Sequence, residues 1–313
     1  PTNSSFSSQS TAYKQGEFVR VAAVAGSVVT IQGSLADSYT TSATDVYHVT
    51  GWNTFRLAGF TITGVTTVIN QLHTIYLRNV LDGMVENIHV KNGSFSSFTM
   101  HQCMDTLVVN CQAQEDFSDD FTGDFGLFIT NSQSIVVQGG FFSSCNHGLA
   151  IGGGIAVGDV INRYHKISNA RISSYMNLPA VNCYGNSEHI TFDNNTIDGA
   201  IHVGGDYITV SNNLIKSSPY NSSQKAAVYI SEPKGFNFFI SSNRIISSST
   251  DPLIDTGLNA AGFDSGVTKG GMLIIEGNKL EWGLAATSTS AARIAVYNRG
   301  YNGSVLPNCI VRN

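Results

Sequence analysis

Charge is what this chain has least of. Asp, Glu, Lys and Arg make up 12% of its 313 residues, against a usual quarter or so. No Lys/Arg-rich run occurs and the formal net charge is −5, which argues against a nucleic-acid partner. No apolar run approaches the roughly 20 residues of a membrane span, so membrane insertion is not expected. Helical periodicity is absent throughout. The five cysteines, Cys103, Cys111, Cys145, Cys183 and Cys309, are odd in number, widely spaced and free of CxxC or metal-finger spacing. They read as buried free thiols filling the role of small hydrophobes, and neither a metal nor a cofactor is expected. An initiator Met and a signal-like segment are also missing. Pro1-Thr2-Asn3-Ser4-Ser5 reads as the start of a processed fragment.

What is there is a repeat. Its template is apolar, any, apolar, two of any, small or Asn, any, apolar. It fits Ile190/Phe192/Asn195/Ile197, Ile208/Val210/Asn213/Ile215, Phe238/Ile240/Asn243/Ile245 and Leu273/Ile275/Asn278/Leu280. Looser copies run upstream, at Phe60/Ile62/Val65/Thr67, Ile88/Val90/Gly93/Phe95, Ile135/Val137/Gly140/Phe142 and His165/Ile167/Ala170/Ile172. Copies follow one another at about 18 to 35 residues, the period range of solenoids and arrays. Alternation within each copy has the strand period of two, so the unit is a β-rung. Scarce charge suits such a stack, because like charges opposite one another repel whereas Asn and hydroxyl ladders hydrogen-bond along it.

The pattern predicts an all-β, single-stranded parallel β-helix of about nine to ten rungs, on the order of 45 Å long. A second strand precedes each template strand, as at Gly126–Ile129, Gly148–Ile151, Ala180–Cys183, Ala200–Val203 and Ala227–Ile230. Residues 1–50 read differently: Glu17–Val21, Ser27–Ile31 and Val46–Val49 are predicted as strands of a module that caps the open first rung. The helix is assigned to residues 51–282, and residues 283–313 to a last rung or cap. Corner insertions at Glu115–Asp124, Gly152–Tyr164, Ser217–Lys225 and Ser249–Gly270 are expected to gather on one face.

Tyr13 to Ile31, with the rungs from about residue 54 to 282, resembles phage tailspike depolymerases of the pectin-lyase-like superfamily. That resemblance implies a right-handed helix, a homotrimer, residence on the virion tail or outside the cell, and a bacterial surface polysaccharide as partner. Asn146-His147-Gly148-Leu149-Ala150-Ile151-Gly152 looks like the Gly-His-Gly motif of polygalacturonase-type glycoside hydrolases. One rung earlier, Asp124 matches the first carboxylate of that family's paired Asp motif, while Phe125 replaces the second. The family's Asn-Thr-Asp and Arg-Ile-Lys motifs have no counterpart here.

The chemistry then points to carboxylates. Glu115 to Asp124 holds five acids in ten residues, and glycoside hydrolysis needs two, one as acid and one as base or nucleophile. Asp119, Asp120 and Asp124 are the candidates, with interleaved Phe residues able to raise a carboxyl pKa by desolvation. A solvated acidic loop or an oxygen-rich Ca²⁺ site would give the same composition. Asp198 precedes its strand as Asp124 and Asn146 precede theirs, so stacking in register would place the three in one column with His147 and His202 nearby. Ordinary Asp-Gly turn chemistry is the competing account of Asp198. His147, between Asn and Gly, is expected to be exposed and to reach a ligand. Tyr164, Tyr184 and Trp282 are candidate stacking surfaces for sugar rings, alongside Asn146 and His202 as substrate contacts. Together these assign catalysis to Asp124, Asp120, Asp119, His147 and Asp198, by hydrolysis in preference to β-elimination. A non-catalytic receptor-binding spike or adhesin, or a lyase on the same fold, is the alternative.

Overall fold

The computed structural model describes residues 16–39, 46–64, 73–93, 95–114, 125–153, 160–175, 178–217, 226–233, 237–247, 253–256, 271–282, 296–298 and 308–312. Among these every regular element is a strand, and the fold is a right-handed parallel β-helix. One rung shows the plan. Ser96–His101 enters a first sheet, Met104–Val109 a second and Gln112–Gln114 a third, after which Phe125–Thr130 stacks on the rung's first strand. The third sheet has nine strands, consistent with the nine to ten rungs expected. First and second sheets are continuous at Ile201–Ser211, a single strand of 11 residues that runs through their corner.

The template's apolar positions point inward. Ile190, Phe192, Ile197, Ile208, Ile215 and Ile245 are fully buried in one continuous core, each such side chain contributing roughly 1.5–3 kcal/mol of transfer free energy. The small-or-Asn position is the inside of the corner between second and third sheets. Asn110, Asn169, Asn194 and Asn212 take left-handed φ of 49°, 58°, 55° and 57°, which Asn tolerates better than most residues. The next residue, Cys111, Ala170, Asn195 or Asn213, is thereby turned into the core. Gly140 fills the same place at φ 100°, where a Cβ would lie 2.3 Å from the Cys111 carbonyl oxygen. Four asparagines stack there. Asn195 Nδ2 donates to Asn213 Oδ1 at 3.0 Å, Asn213 Nδ2 to Asn243 Oδ1 at 3.0 Å, and Asn243 Nδ2 to Asn278 Oδ1 at 2.9 Å. Each Oδ1 also accepts the backbone N–H of the asparagine one rung before it, so the ladder satisfies corner amides that no strand reaches.

Four cysteines are buried as expected, whereas Cys309 is exposed on the last strand, Asn308–Arg312. The N-terminal residues depart further from expectation. The first strand begins at Val21 and pairs antiparallel with Val28–Ile31, while 46–50 form no strand. Residues 16–20 instead run along the flank of the helix. Ile161 N donates to Gly16 O at 3.3 Å, Phe18 N to Gln133 Oε1 at 3.1 Å, and Arg20 holds Asp82 and Asp105 at 2.7 and 2.6 Å. The strap thus crosses several rungs. Its upper end is fixed by Arg163, 1% exposed, whose guanidinium meets Asp37, Glu188 at 2.8 Å and Glu17 at 3.9 Å.

A second column of left-handed residues runs up the second sheet. The residues following Leu81, Met104, Gln133, Arg163, Glu188 and Asp206 in register are Asp82, Asp105, Ser134, Tyr164, His189 and Tyr207, with φ from 51° to 58°. Asp and His suit this conformation; tyrosine does not, at a cost of order 1–3 kcal/mol. A ring contact returns only about 0.5–1.5 kcal/mol. Tyr164, His189 and Tyr207 nevertheless stack, with centroids 5.1 and 4.6 Å apart.

Candidate functional site

Extra chain length collects at the two corners that border the first sheet. Residues 65–72, 115–124, 218–225, 248–252 and 283–295 join third sheet to first, and 154–159, 257–270 and 299–307 join first to second. The corner between second and third sheets stays tight. The expected insertions thus leave the helix at both corners that border the first sheet, with the sheet as the floor between those corners, and their own placement lies outside the described residues.

On that floor Leu149, Val181, Ile201 and Val228 point into the core, so their neighbours Ala150, Asn182, His202 and Tyr229 point out. The register makes these four one column, continued by Asp255 and Tyr297. Although it faces away from the core, Asn182 is only 6% exposed and Tyr229 4%. His147 is also buried, at 9%, contrary to expectation. Its Nδ1 lies 2.6 Å from the Pro179 carbonyl oxygen, and its Nε2 3.2 Å from Asn182 Nδ2. A carbonyl can only accept, so Nδ1 carries the proton and Nε2 accepts from the amide. Asn182 Oδ1 is left buried with no hydrogen-bond partner among the described residues. Burial lowers the pKa of His147, with the Pro179 carbonyl opposing. Burial, then the neighbouring His147, holds His202 well below the usual imidazole range. Both imidazoles are neutral at pH 7.

An aromatic band continues down the same floor. Phe125 stacks on Phe128 at 4.8 Å and on His147 at 5.8 Å, and meets Phe95 edge-on at 5.4 Å. His73 lies 5.1 Å from Phe95 and 4.9 Å from Tyr76. Tyr76, 43% exposed, hydrogen-bonds His101 Nδ1, and His101 Nε2 lies 3.5 Å from the Asn131 amide. If the phenol donates to Nδ1, Nε2 carries a proton that only an amide oxygen can accept, which favours the flipped orientation of Asn131. The band thus offers ring faces, two neutral imidazoles, a phenol hydroxyl and an unspent amide oxygen.

The sequence-predicted residues divide between this floor and other faces. His147, Asn146 and His202 lie at it, and Tyr184 borders it, packed where a Cβ on Gly152 would come within 2.7 Å. Asn146 is buried, its carbonyl accepting from Ser174 Oγ at 2.6 Å. Asp119, Asp120 and Asp124 fall outside the described residues, although Asp124 is bonded to Phe125. Asp198 does not join the column drawn for it. It ends the third-sheet strand Thr196–Asp198 opposite Ser173, paired with Arg171 at 2.9 Å and Lys216 at 3.9 Å. The corner after Ser173's rung and the one before it are longer, so counting back from the first sheet misleads. Trp282 ends a third-sheet strand, and Tyr164 sits on the second sheet. The glycine of the His-Gly motif has a packing role, since a Cβ on Gly148 would lie 2.4 Å from Phe142 O. Sequence reasoning missed Asn182, Tyr229, Tyr76 and His101. A polar or aromatic residue flanked by two core residues, as in Val-Asn-Cys, Ile-His-Val and Val-Tyr-Ile, was the available signal.

A family model described as Gp49, pectin lyase-like, matches residues 91–261, and one described as tailspike protein-like, Ig-like domain, matches residues 1–49. None of the curated proteins matches the chain. Among solved structures, tailspike gp61 of Pseudomonas phage phi297 is similar over 99% of this chain and 50% of its own, at 24% identity and TM-score 0.75. Tailspike gp49 of Pseudomonas phage LKA1 is similar over 99% and 53%, at 20% and 0.70. The Gp54 tailspike of Acinetobacter baumannii bacteriophage AP22, solved with A. baumannii capsular saccharide, is similar over 99% and 50%, at 20% and 0.63. The chain therefore spans about half the length of the solved tailspikes it matches, and what these likenesses share is the fold.

Proposed function

The chain belongs to the Gp49, pectin lyase-like family, and from that premise we propose that it is the helix of a phage tailspike that binds and cleaves a bacterial surface polysaccharide. The observation that carries this reading is the first-sheet floor. It is an outward row of aromatic and neutral polar side chains, bordered by the inserted corners, in which Asn182 Oδ1 is buried and unspent. Sugars present C–H faces and hydroxyls, which such a row meets with rings and with hydrogen-bonding tips. The capsular saccharide bound by the AP22 tailspike is the chemical class of ligand extended to this chain.

Cleavage is assigned to hydrolysis by the acids that lead into Phe125. One of Asp119, Asp120 and Asp124 protonates the glycosidic oxygen as its bond to the anomeric carbon breaks. A second carboxylate takes a proton from water, or attacks the anomeric carbon first. A second reading has its own support. The Tyr76–His101 pair places a phenol and an imidazole together on the floor, and such a pair suits β-elimination. One member of the pair would take the C5 proton α to a uronate carboxyl, the C4–O bond would break with a C4=C5 double bond forming, and the other member would protonate the departing oxygen, which leaves as the hydroxyl of the new chain end. Reducing-end release from capsule or lipopolysaccharide without unsaturated product supports hydrolysis, absorbance of the unsaturated uronate supports elimination, and binding without new ends supports a pure receptor spike. Three copies are proposed to assemble on the virion tail. The hairpin exposes Val24 and Val29, paired across its two strands, on one face and Val28 on the other, each at least half exposed, which is apolar surface of the kind that marks an interface. A trimeric mass by light scattering is expected, and a monomeric one would count against it.

A further inference from the structure

We propose that Tyr164, His189 and Tyr207 form a second glycan-contact site, on the second sheet and apart from the cleavage floor, that holds a stretch of the same polysaccharide. The proposal rests on the polysaccharide reading above and adds a place on the surface to it. Tyr164 and Tyr207 are 48% and 47% exposed and His189 is exposed between them. Their rings lie nearly parallel, at 20° and 7°, one per rung on three successive rungs. The outer edge of the stack therefore carries phenol hydroxyls and imidazole nitrogens around aromatic surface, a mixture that suits sugar hydroxyls and C–H groups.

Two features separate this stack from a purely structural ladder. Lower in the same column the positions are Asp82, Asp105 and Ser134, with the same backbone conformation and no aromatic ring; the fold asks for a left-handed residue there, not for tyrosine. Arg20 of the strap covers Asp82 and Asp105, while the three rings stay open. The adjoining carboxylates are already engaged beneath the surface. Glu188 holds Arg163 at 2.8 Å, and Asp206 Oδ1 accepts from Tyr207 N, Asn237 N and Asn237 Nδ2 at 3.0, 3.0 and 2.9 Å. The flanking outward residues Lys166, exposed, and Thr191 and Thr209, half-buried, are polar. Three rings edged by them are far below the roughly 800 Å² per partner of a stable protein interface, which favours a glycan over a second copy of the chain.

The test uses the whole chain and an array of purified bacterial capsular and O-antigen polysaccharides, with the tightest binder then measured as intact polymer and as short oligosaccharides cut from it. The double variant Tyr164→Asn, Tyr207→Asn replaces both tyrosines by a residue that accepts left-handed φ. It should melt at or above the wild-type temperature, bind the intact polymer about tenfold more weakly, and keep wild-type turnover on the short oligosaccharides. Tyr164→Phe, Tyr207→Phe should fall between the two. Unchanged polymer affinity overturns the proposal, as does equal loss on short and long substrates, which would put the rings within the cleavage floor. A changed oligomeric mass in the double variant also overturns it, by making the stack a contact between copies. A wild type that binds tightly in a ring-dependent way but releases no ends upholds the second site while overturning cleavage. A wild type that binds nothing on the array overturns both.

Discussion

Asn213→Ala is the substitution whose cost the structure specifies best. Asn213 is 1% exposed at the centre of the asparagine ladder. Its Oδ1 accepts Asn195 N at 2.8 Å and Asn195 Nδ2 at 3.0 Å, and its Nδ2 donates to Phe192 O at 2.9 Å and Asn243 Oδ1 at 3.0 Å. Alanine strands the Asn195 backbone N–H in the core, at roughly 1–3 kcal/mol, and removes further bonds worth about 1 kcal/mol each. Asn195 Nδ2 keeps Ile167 O at 3.0 Å, and Asn243 Oδ1 keeps the N–H of residue 213, so neither is orphaned. The expected loss is about 3–4 kcal/mol in equilibrium urea unfolding, with amide exchange at Asn195 accelerated. Asn278→Ala removes the same pattern of bonds from Asn243. There the side chain is only half-buried and water can replace what is lost, so about 1 kcal/mol is expected. Losses below about 1 kcal/mol at residue 213, or equal losses at both positions, would refute the view that buried amide satisfaction fixes this corner.

Three other outcomes follow from the site and the strap. Asp124→Asn, Asp119→Asn and Asp120→Asn are each to be assayed for turnover. The residue that acts as acid or base should lose about 10² to 10⁴ with polysaccharide binding intact, and full activity in all three removes the loop from the chemistry. His165, 1% exposed, accepts Ile135 N–H at Nδ1 (3.1 Å), and burial lowers its pKa to about 3. The unfolded state, with a pKa near 6.5, therefore binds more protons in between. Stability should be fully present above about pH 6.5 and fall as the pH drops, by roughly 2 kcal/mol at pH 5 from this residue; a flat profile in urea melts between pH 7 and 5 would contradict it. Arg163→Met leaves Glu17, Asp37 and Glu188 without their shared cation, so it should destabilise the fold by about 3–5 kcal/mol and expose the bonds around Gly16 to proteolysis. Wild-type resistance to protease would sink the strap as a structural element.

The core was legible because it repeats. Ile190, Phe192, Asn195 and Ile197 recur with a spacing that only stacked strands explain, and the small position of the template is the inward residue of the tight corner. The site was less legible, because its columns depend on register across corners of unequal length. Asp198 and Asn146 look equivalent when counted from the strands that follow them. Yet Asp198 pairs opposite Ser173 and is held in an ion pair on the third sheet. His147 beside a glycine read as an exposed turn, whereas that glycine is there because backbone passes within 2.4 Å of where its Cβ would be. The N-terminal strap escaped notice for a related reason. Its bonds from Gly16, Phe18 and Arg20 go to rungs more than 60 residues away, and no local pattern encodes them.

The central claim is that the outward floor of the first sheet is where polysaccharide binds, and a crystal structure with an oligosaccharide of the recognised glycan tests it most directly. The account predicts sugar rings along Phe128, Asn182, His202 and Tyr229, with a hydroxyl donating to Asn182 Oδ1 at about 2.7–3.0 Å. Saccharide bound to the second or third sheet while this floor stays empty would contradict it.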